Sequence, residues 1–335
     1  MKIGFAGDWV LQDLPLYQEC IFQDIHSLLE REGINLCINL ESPFVPAGRV
    51  AIKNKLTLHA LPESISYVKF LAPYLVNVGN NHINDYGNIG SQLTFDLLDK
   101  ENIKHFGAGY AGNDFEIFVQ DENKVIFLAY VLRSSDLTGS PLFCQKDFIG
   151  GKAPDFKQIN ILKKQYPDYK LIVNLHWGFE DIRYPEPEKR QLAYEFIDHG
   201  ADLIIGHHAH IIQPYEVYRN KMIFYSLGNF YFSDIHFTEA HADKIKKSRP
   251  HQKKGIIPVF NTTSSNIELI HIYQIYISGK RLRLRKNYPL KKLSKMTDGY
   301  IRKHALYLKC IQLQEKIRYI INNPIVILNK FRLHS

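Results

Sequence analysis

The chain has 335 residues, of which 45% are hydrophobic and 23% are charged, so it is long and apolar enough to bury a sizeable core. With 20 Tyr and 20 Phe, its composition excludes a chain that is disordered over most of its length. The net charge is +8, but residues 280–335 hold 15 Lys and Arg against two acidic residues. This tail therefore carries +13 and the preceding residues carry −5, which predicts two functional regions.

Cysteine usage and hydropathy predict a cytoplasmic protein. The four cysteines are scattered and form no CxxC pair, as expected of reduced thiols rather than of a disulfide framework. The N-terminal residues MKIGFAGDWVLQ lack the long apolar stretch of a signal peptide. The sequence also contains no run of roughly 18 uncharged apolar residues, so we expect no helix that spans a membrane.

Short runs rich in Val, Ile and Leu predict buried strands in this order: MKIGFAG, INLCINLE, YLVNVGN, KVIFLAYV, YKLIVNLHW, ADLIIGHH and KMIFYSLGN. Helical spacing predicts helices at residues 90–100 and 187–200, with Gly200 as the helix stop. The polar and basic segment 237–255 is expected to be an exposed loop. The alternation of strands and helices predicts an α/β domain whose helices cover the sheet faces.

The C-terminal part differs from the rest in pattern as well as in charge. Apolar and polar residues alternate from Asn261 to Leu284, which predicts a β-hairpin, and the chain after Lys291 has helical and basic character. We therefore divide the chain into a main domain, residues 1–275, and a basic, largely helical extension, residues 276–335. The stretch IRYIINNPIVILNKFRL in this extension predicts peripheral contact with the inner membrane, and the alternative is a solvated helix packed on the domain.

Polar side chains with ligand chemistry come directly after the predicted strands. Sites in open α/β sheets collect beyond the carboxyl ends of strands, so we expect these side chains at one sheet edge. Oxygen and nitrogen donors without a thiolate suit Mn, Fe, Zn or Mg. The candidates at these strand ends are Asp8, Glu41, Asn81 with His82, His176, and the pair His208 and His210.

Each candidate has a plain structural alternative when it is taken alone. Asp8 could cap a helix and Glu41 could cap a helix or turn, while the Asn-rich stretch after the third predicted strand could form an ordinary turn. His176 could be a satisfied core histidine. The order and the shared strand-end position of all the candidates favour a metal centre over these alternatives.

The histidine-rich stretch IIGHHAH carries the most specific local signal. In an extended or loop backbone His208 and His210 point to the same side and can reach one ion or two adjacent ions, whereas His207 points the other way. A surface cluster of histidines is the alternative. In VGNNHINDYG, Asp85 lies close enough to accept the second ring N–H of His82 and fix its tautomer. His82 and Asp85 are therefore the candidate catalytic residues.

The order Asp, Glu, Asn-His, His, His-x-His resembles that of the calcineurin-like metallophosphoesterase superfamily. The chain from about Lys2 to Phe232 more closely resembles the CapA family of bacterial capsule and poly-γ-glutamate synthesis proteins. The segments that carry this resemblance are GDWVL, NLES, VGNNHINDYG, HFGAG, NLHWGFE, GADLIIGHHAHIIQPYEVY and IFYSLGNFYF. The resemblance implies a four-layer α/β/β/α sandwich with a centre of two divalent metal ions at one sheet edge.

The resemblance also assigns roles to the candidate residues. His82 matches the histidine that faces the phosphate, and Glu41 the carboxylate that bridges the ions. Family members vary between His207 and His208 as the ligand. Val10 stands where the wider superfamily usually places a ligand His, which predicts weaker binding of one ion. The implied metal ligands are Asp8, Glu41, Asn81, His176, His208 and His210.

Two functions follow from this resemblance. The first is a phosphoesterase of capsule or poly-γ-glutamate biosynthesis, in which a metal-bound hydroxide attacks a phosphate ester of a sugar or of an anionic polymer. His82 would donate a proton to the leaving oxygen or hold the phosphate. The alternative is a non-hydrolytic, metal-binding accessory protein of a complex that synthesises or exports a capsule polymer. Nucleic acid is not the expected partner, because a basic tail without a base-reading module is weak evidence.

Overall fold

The computed structural model describes the whole chain except residues 16–17, 52–55, 139, 233, 237–244, 264–265, 295–296 and 323–335. In chain order the strands are β1 (Lys2–Trp9), β2 (Asn35–Leu40), β3 (Leu75–Asn77), β4 (His105–Phe106), β5 (Ala108–Gly109), β6 (Ile117–Gln120), β7 (Val125–Val131), β8 (Gly150–Gly151), β9 (Lys170–His176), β10 (Leu203–His207), β11 (Tyr215–Tyr218), β12 (Lys221–Phe224), β13 (Asn229–Tyr231), β14 (Ile235–His236), β15 (Ile245–Lys246), β16 (Lys254–Thr262), β17 (Ile267–Ser278) and β18 (Arg281–Arg285). The α-helices are α1 (Gln23–Glu32), α2 (Ile65–Leu71), α3 (Gly87–Lys100), α4 (Phe156–Gln165), α5 (Pro187–Asp198) and α6 (Asp298–Asn322).

The strands predicted from apolar runs are all present, because each run overlaps one of β1, β2, β3, β7, β9, β10 and β12. The predicted helices at residues 90–100 and 187–200 correspond to α3 and α5. Pro187 begins α5, where its missing N–H costs no helical hydrogen bond. Gly200 lies just past the end of this helix with a φ of 118°, a conformation that favours glycine.

Two sheets form the centre of the molecule. The first has the strand order β18-β17-β16-β1-β2-β3-β4, with β13 beside β1, and the second has the order β11-β12-β10-β9-β7-β6. Strands β1, β2 and β3 run parallel to one another, and so do β7, β9, β10 and β12. The carboxyl ends of neighbouring parallel strands share one edge of their sheet, so residues that follow these strands are brought together.

Helices cover the outer faces of both sheets. The core between the sheets joins Phe5 and Phe260 of the first sheet to Phe127 and Phe224 of the second. A second core packs α1, α2 and α3 on the first sheet, and a third packs α4 and α5 on the second. The order of layers is therefore helix, sheet, sheet, helix, which confirms the predicted four-layer α/β/β/α sandwich.

The predicted C-terminal hairpin is also present. Strands β17 and β18 pair in antiparallel fashion around a turn that contains Gly279, whose φ is 59°. Strand β17 runs across residue 275, so the first sheet continues beyond the predicted domain boundary, and that division of the chain stays a prediction. The predicted loop at 237–255 lies partly outside the described residues, and within its described part Gln252 is buried rather than exposed.

The start of α6 packs on the main body of the protein. The hydroxyl of Tyr300 donates to the carbonyl oxygen of Pro185 at 2.6 Å, and Tyr307 accepts from the backbone N–H of Arg183 at 3.0 Å. The predicted interfacial segment, residues 317–333, lies outside the residues whose side chains are described. Within the described part of the chain, no helix has both the length and the apolar character needed to cross a membrane.

Candidate metal centre

Asp8 forms the floor of the candidate site at the end of β1. Its carboxylate lies 3.2 Å from Nδ1 of His210 and 3.4 Å from Nδ1 of His207, and it accepts the side-chain amide of Asn39 at 2.7 Å. The backbone N–H of His208 also donates to it at 3.0 Å. Burial raises the pKa of Asp8, but the hydrogen bonds from the two imidazoles outweigh it and hold the pKa well below the ordinary value.

Glycine at position 7 lets β1 approach the segment around Gly228 closely. A Cβ at Gly7 would lie 1.8 Å from the carbonyl oxygen of Gly228, so a larger residue would push the two segments apart. The N–H of Asp8 donates to that same carbonyl oxygen at 3.1 Å, and Asp8 pairs with Asn229 across the ladder. This close approach brings Asn229 to the candidate site.

Glu41 lies between two groups of donors. It follows β2, is completely buried, and its backbone N–H donates to the carbonyl oxygen of Trp9. Its Oε2 atom lies 3.9 Å from Nε2 of His210, while its Oε1 atom lies 3.4 Å from Nε2 of His176. One carboxylate oxygen therefore faces the group of Asp8 and His210, and the other faces the group that contains His176.

The second group of donors is completed by Asn81 and His208. The amide nitrogen of Asn81 donates to the carbonyl oxygen of Ser135 at 3.0 Å, which aims its Oδ1 atom at Nε2 of His176, 2.8 Å away. The ring of His208 lies against that of His176, with 4.9 Å between centroids. Burial lowers the pKa of both imidazoles, that of His208 to about 3, so both are neutral at pH 7 and able to act as ligands.

The His-x-His stretch, for which an extended or loop backbone is expected, forms a turn in the structure. His208 and His210 have φ values of 87° and 54°, so the chain turns directly after β10 instead of continuing as a strand. Their rings nevertheless lie on the same side, with 5.8 Å between centroids. The expectation that the ring of His207 points away from the rings of His208 and His210 was wrong. The turn begins after His207, and the ring of His207 contacts Asp8.

The pKa of His210 shows that the buried carboxylates around it favour a positive charge. Burial alone lowers its pKa, but Glu41 and Asp8 outweigh burial and raise it to about 10. A proton on His210 thus balances buried carboxylates that a cation would otherwise balance. Its Nδ1 atom contacts Oδ1 of Asn229 at 2.9 Å, which orients the ring so that Nε2 faces Glu41.

Replacing Asn229 with Ala should weaken metal binding by about 10- to 100-fold, the usual cost of losing a residue that orients a ligand. The cause is the lost contact with Nδ1 of His210. Because Asn229 also donates to the carbonyl oxygen of Gln252, some loss of stability is expected as well. Titration of the folded variant with Mn²⁺ checks this prediction, and an affinity equal to that of the wild type would contradict it.

His82 lies beside these donors in the wall of an open cavity, and Asp85 is completely buried next to its ring. Nδ1 of His82 contacts Oδ2 of Asp85 at 2.7 Å, as the spacing in the sequence predicts, and that carboxylate oxygen also accepts the backbone N–H of Leu58 at 2.8 Å. The cavity has a volume of about 260 Å³ and is lined by residues from several segments of the chain. The polar residues that line it are Asn81, His82, Ser134, Ser135, Asp136, Thr138, Glu180, His208 and His210.

The residues present fit a centre of divalent metal ions. Asp8, Glu41 and His210 each place one ligand atom within 4.8 Å of the others, and all three are buried. Among the described residues, the Nδ1 atoms of His176 and His208 are buried without a hydrogen-bond partner, a cost that a bound cation would offset if either atom were a ligand. The structure brings all the ligand candidates into one cluster, and their role as ligands stays a prediction.

Val10 differs from the pattern that the resemblance implies. Its side chain is completely buried in a small apolar cluster with Leu58, Phe232 and Ile235. The cluster supplies no donor, so the ion next to Asp8 would have His210 and Glu41 as its remaining side-chain ligands, with His207 close to Asp8.

Reasoning from the sequence missed the residues that support the ligands. Asn39 and Asn229 orient Asp8 and His210, and Ser135 orients Asn81. The sequence does offer a signal for the two asparagines, because each is a polar residue in an otherwise apolar run. Asn39 lies in NLCINLE, and Asn229 ends KMIFYSLGN. Ser135 offers no such signal, because it lies in a short 3₁₀ helix (Arg133–Ser135) far along the chain from Asn81.

A four-layer sandwich with these donors at the ends of its parallel strands defines a protein of the metallophosphoesterase-like superfamily. Within that class, the family model described as "Bacterial capsule synthesis protein PGA_cap" matches residues 2–234, and the chain belongs to this family.

The names of two curated relatives agree with this family assignment. The chain is 33% identical over 220 residues to "PGA biosynthesis protein CapA" of Bacillus subtilis, a match that covers 64% of this chain and 57% of that protein. It is 34% identical over 180 residues to "Capsule biosynthesis protein CapA" of Bacillus anthracis, covering 52% of this chain and 44% of that one. The chain thus spans about half the length of these relatives.

Among solved structures, a 5'-nucleotidase precursor from Thermus thermophilus aligns with a TM-score of 0.44 and 11% identity. The alignment covers 93% of this chain and 59% of that one. This similarity is too low to bear on function.

Proposed function

We propose that this protein is a metal-dependent phosphoesterase that acts in the biosynthesis of a capsule polymer such as poly-γ-glutamate. The observation that carries the proposal is the position of Glu41, whose two oxygens face separate groups of buried donors. Asp8, Glu41 and His210 would hold one ion, and Glu41, Asn81, His176 and His208 would hold the second. When bound, two such ions supply an activated water molecule and positive charge at the phosphoryl oxygens.

The protein's own residues would then bind and protonate the substrate. Asp85 contacts the Nδ1 atom of His82, so Nε2 is the ring atom through which His82 would contact a phosphate ester. From there it would donate a proton to the leaving oxygen or a hydrogen bond to the phosphoryl group. The hydroxyl groups of Ser134 and Thr138 lie in the wall of the same cavity and could bind the rest of the substrate.

The activity is tested by phosphate release from a panel of mono- and diesters, with Mn²⁺, Fe²⁺, Zn²⁺ or Mg²⁺ added in turn. We expect turnover that needs a metal, is lost in His208→Ala, and is kept in His26→Ala, a control at a half-buried histidine of α1 that does not line the cavity. Release of phosphate by His208→Ala at the rate of the wild type would refute the assignment of the site.

The accessory role is the second candidate, and Val10 favours it. Because the apolar cluster around Val10 supplies no ligand, the ion at Asp8 has fewer protein donors than the superfamily pattern implies. A protein that binds two ions but releases phosphate from no ester of the panel would act as a metal-binding accessory protein of a polymer synthesis complex. The basic extension would then provide contact with the complex or with the inner membrane.

A further inference from the structure

A second cleft lies next to the cavity of the metal centre. It has a volume of about 610 Å³, and the same two chain segments that line the metal cavity continue into it. The first segment passes from Glu180 to Arg183, and the second passes from His210 to Gln213. A hydrogen bond from the N–H of Asp181 to the carbonyl oxygen of Ala209, at 2.9 Å, joins the two segments.

The lining of this cleft carries positive charge without an acidic residue. Arg183, Lys254 and Lys291 are exposed in its wall and form no ion pair with a carboxylate in the described part of the chain. Lys291 is held by a hydrogen bond to the hydroxyl of Tyr184 at 3.1 Å. The uncharged residues of the lining include Gln274, whose amide can bind a further polar group.

Asp181, which lies two residues before Arg183 in the chain, does not neutralise the cleft, because other groups already hold its carboxylate. Asp181 contacts Nε2 of His251 at 2.8 Å and accepts from Arg249 at 3.0 Å and from Gln252 at 3.1 Å. It is therefore engaged by its own partners and leaves the positive charge of Arg183, two residues further on, unbalanced.

The positive surface continues beyond this cleft. An adjoining cavity of about 470 Å³ shares Tyr184 and Lys291 with it and adds Lys292 and Lys303. The docked start of α6 forms one wall of that cavity through His304 and Tyr307. The two cavities together form a basic path with five Arg and Lys residues in its lining, which suits a chain with a negative charge on each unit.

We propose that this basic path binds a segment of a flexible polycarboxylate chain, with Arg183, Lys254 and Lys291 pairing with successive carboxylates. The inference rests on the proposed function for its biological purpose, since the bound chain would lead toward the metal centre. The binding itself needs neither metal nor hydrolysis. Exposed ion pairs are screened by salt, so the affinity should fall as ionic strength rises.

The test measures fluorescence anisotropy of a labelled poly-γ-glutamate fragment with the full-length protein. The triple variant Arg183→Gln, Lys254→Gln, Lys291→Gln should bind at least about tenfold more weakly than the wild type, because it lacks three charge contacts. The control variant Lys100→Gln, Lys157→Gln, Lys164→Gln loses the same net charge on α3 and α4 and should bind like the wild type. A soluble glutamine oligomer should not bind.

The outcomes separate this inference from the proposed function. Glu41→Gln should bind the fragment as the wild type does, even though its metal centre is damaged. Equal binding by the wild type and the basic-path variant would overturn the inference, and so would equal weakening by the control variant. Tighter binding of a single-stranded DNA oligomer of similar charge would also overturn it, because the path would then select a different polyanion.

Discussion

Replacing Glu41 with Gln should remove both metal ions and reduce phosphate release by more than about a hundredfold. This loss exceeds the 10- to 100-fold effect typical of residues that only orient a ligand, because Glu41 would itself be a ligand of both ions. The structure supports this expectation by placing one oxygen of Glu41 near His210 and the other near His176. Metal content by elemental analysis and phosphate release with saturating Mn²⁺ are the measurements.

Thermal unfolding of the same variant separates loss of a ligand from loss of the fold. Without metal, Asp8 and Glu41 lie close together and completely buried, with His210 between them as the positive group. Glu41→Gln removes a buried negative charge next to Asp8 but also its attraction to His210, so the metal-free variant should stay folded and melt close to the temperature of the metal-free wild type. Glu30→Gln on the exposed side of α1 is the control, and a full set of ions in Glu41→Gln would count against a bridging role.

Replacing His82 with Ala should lower kcat by about 10²- to 10⁴-fold while leaving metal content unchanged. This range is typical for the loss of a group that transfers a proton in the transition state. The expectation follows from the position of His82 in the cavity wall and from the contact of its Nδ1 atom with Asp85. Kinetic measurement on metal-loaded protein gives kcat and KM separately.

Asp85→Asn should have a smaller effect than His82→Ala, because the amide can still contact the ring but no longer favours one tautomer. Asp85 also accepts the backbone N–H of Leu58, so the folded fraction of this variant has to be measured as well. If His82→Ala lost its metal together with its activity, His82 would be a ligand rather than a proton donor.

The sequence predicted the α/β domain well because its central strands are buried on both faces. Runs such as KVIFLAYV and YKLIVNLHW have no polar face, as is typical of internal strands of a covered parallel sheet. The four-layer arrangement was predicted only from the resemblance to the family. The candidate ligands were predictable for a related reason. A carboxylate or imidazole directly after such a strand, as at Asp8 and His176, is costly to bury unless it has a partner.

The parts that the sequence did not predict depend on backbone conformation and on distant contacts. His207 and His210 both lie close to Asp8 because the chain turns after His207 with positive φ at His208 and His210, and no local pattern indicates that turn. The supporting role of Asn229 depends on the close approach of β1 and the segment around Gly228. The basic path joins Arg183, Lys254 and Lys291, which belong to separate segments that only the folded chain brings together.

The most direct test of the central claim is anomalous diffraction from crystals soaked in Mn²⁺. We expect two peaks on either side of Glu41, one next to Asp8 and His210 and the other next to Asn81, His176 and His208. Peaks at these positions would confirm a centre of two ions bridged by Glu41. The absence of any peak within coordinating distance of Glu41, or peaks that persist unchanged in crystals of Glu41→Gln, would contradict it.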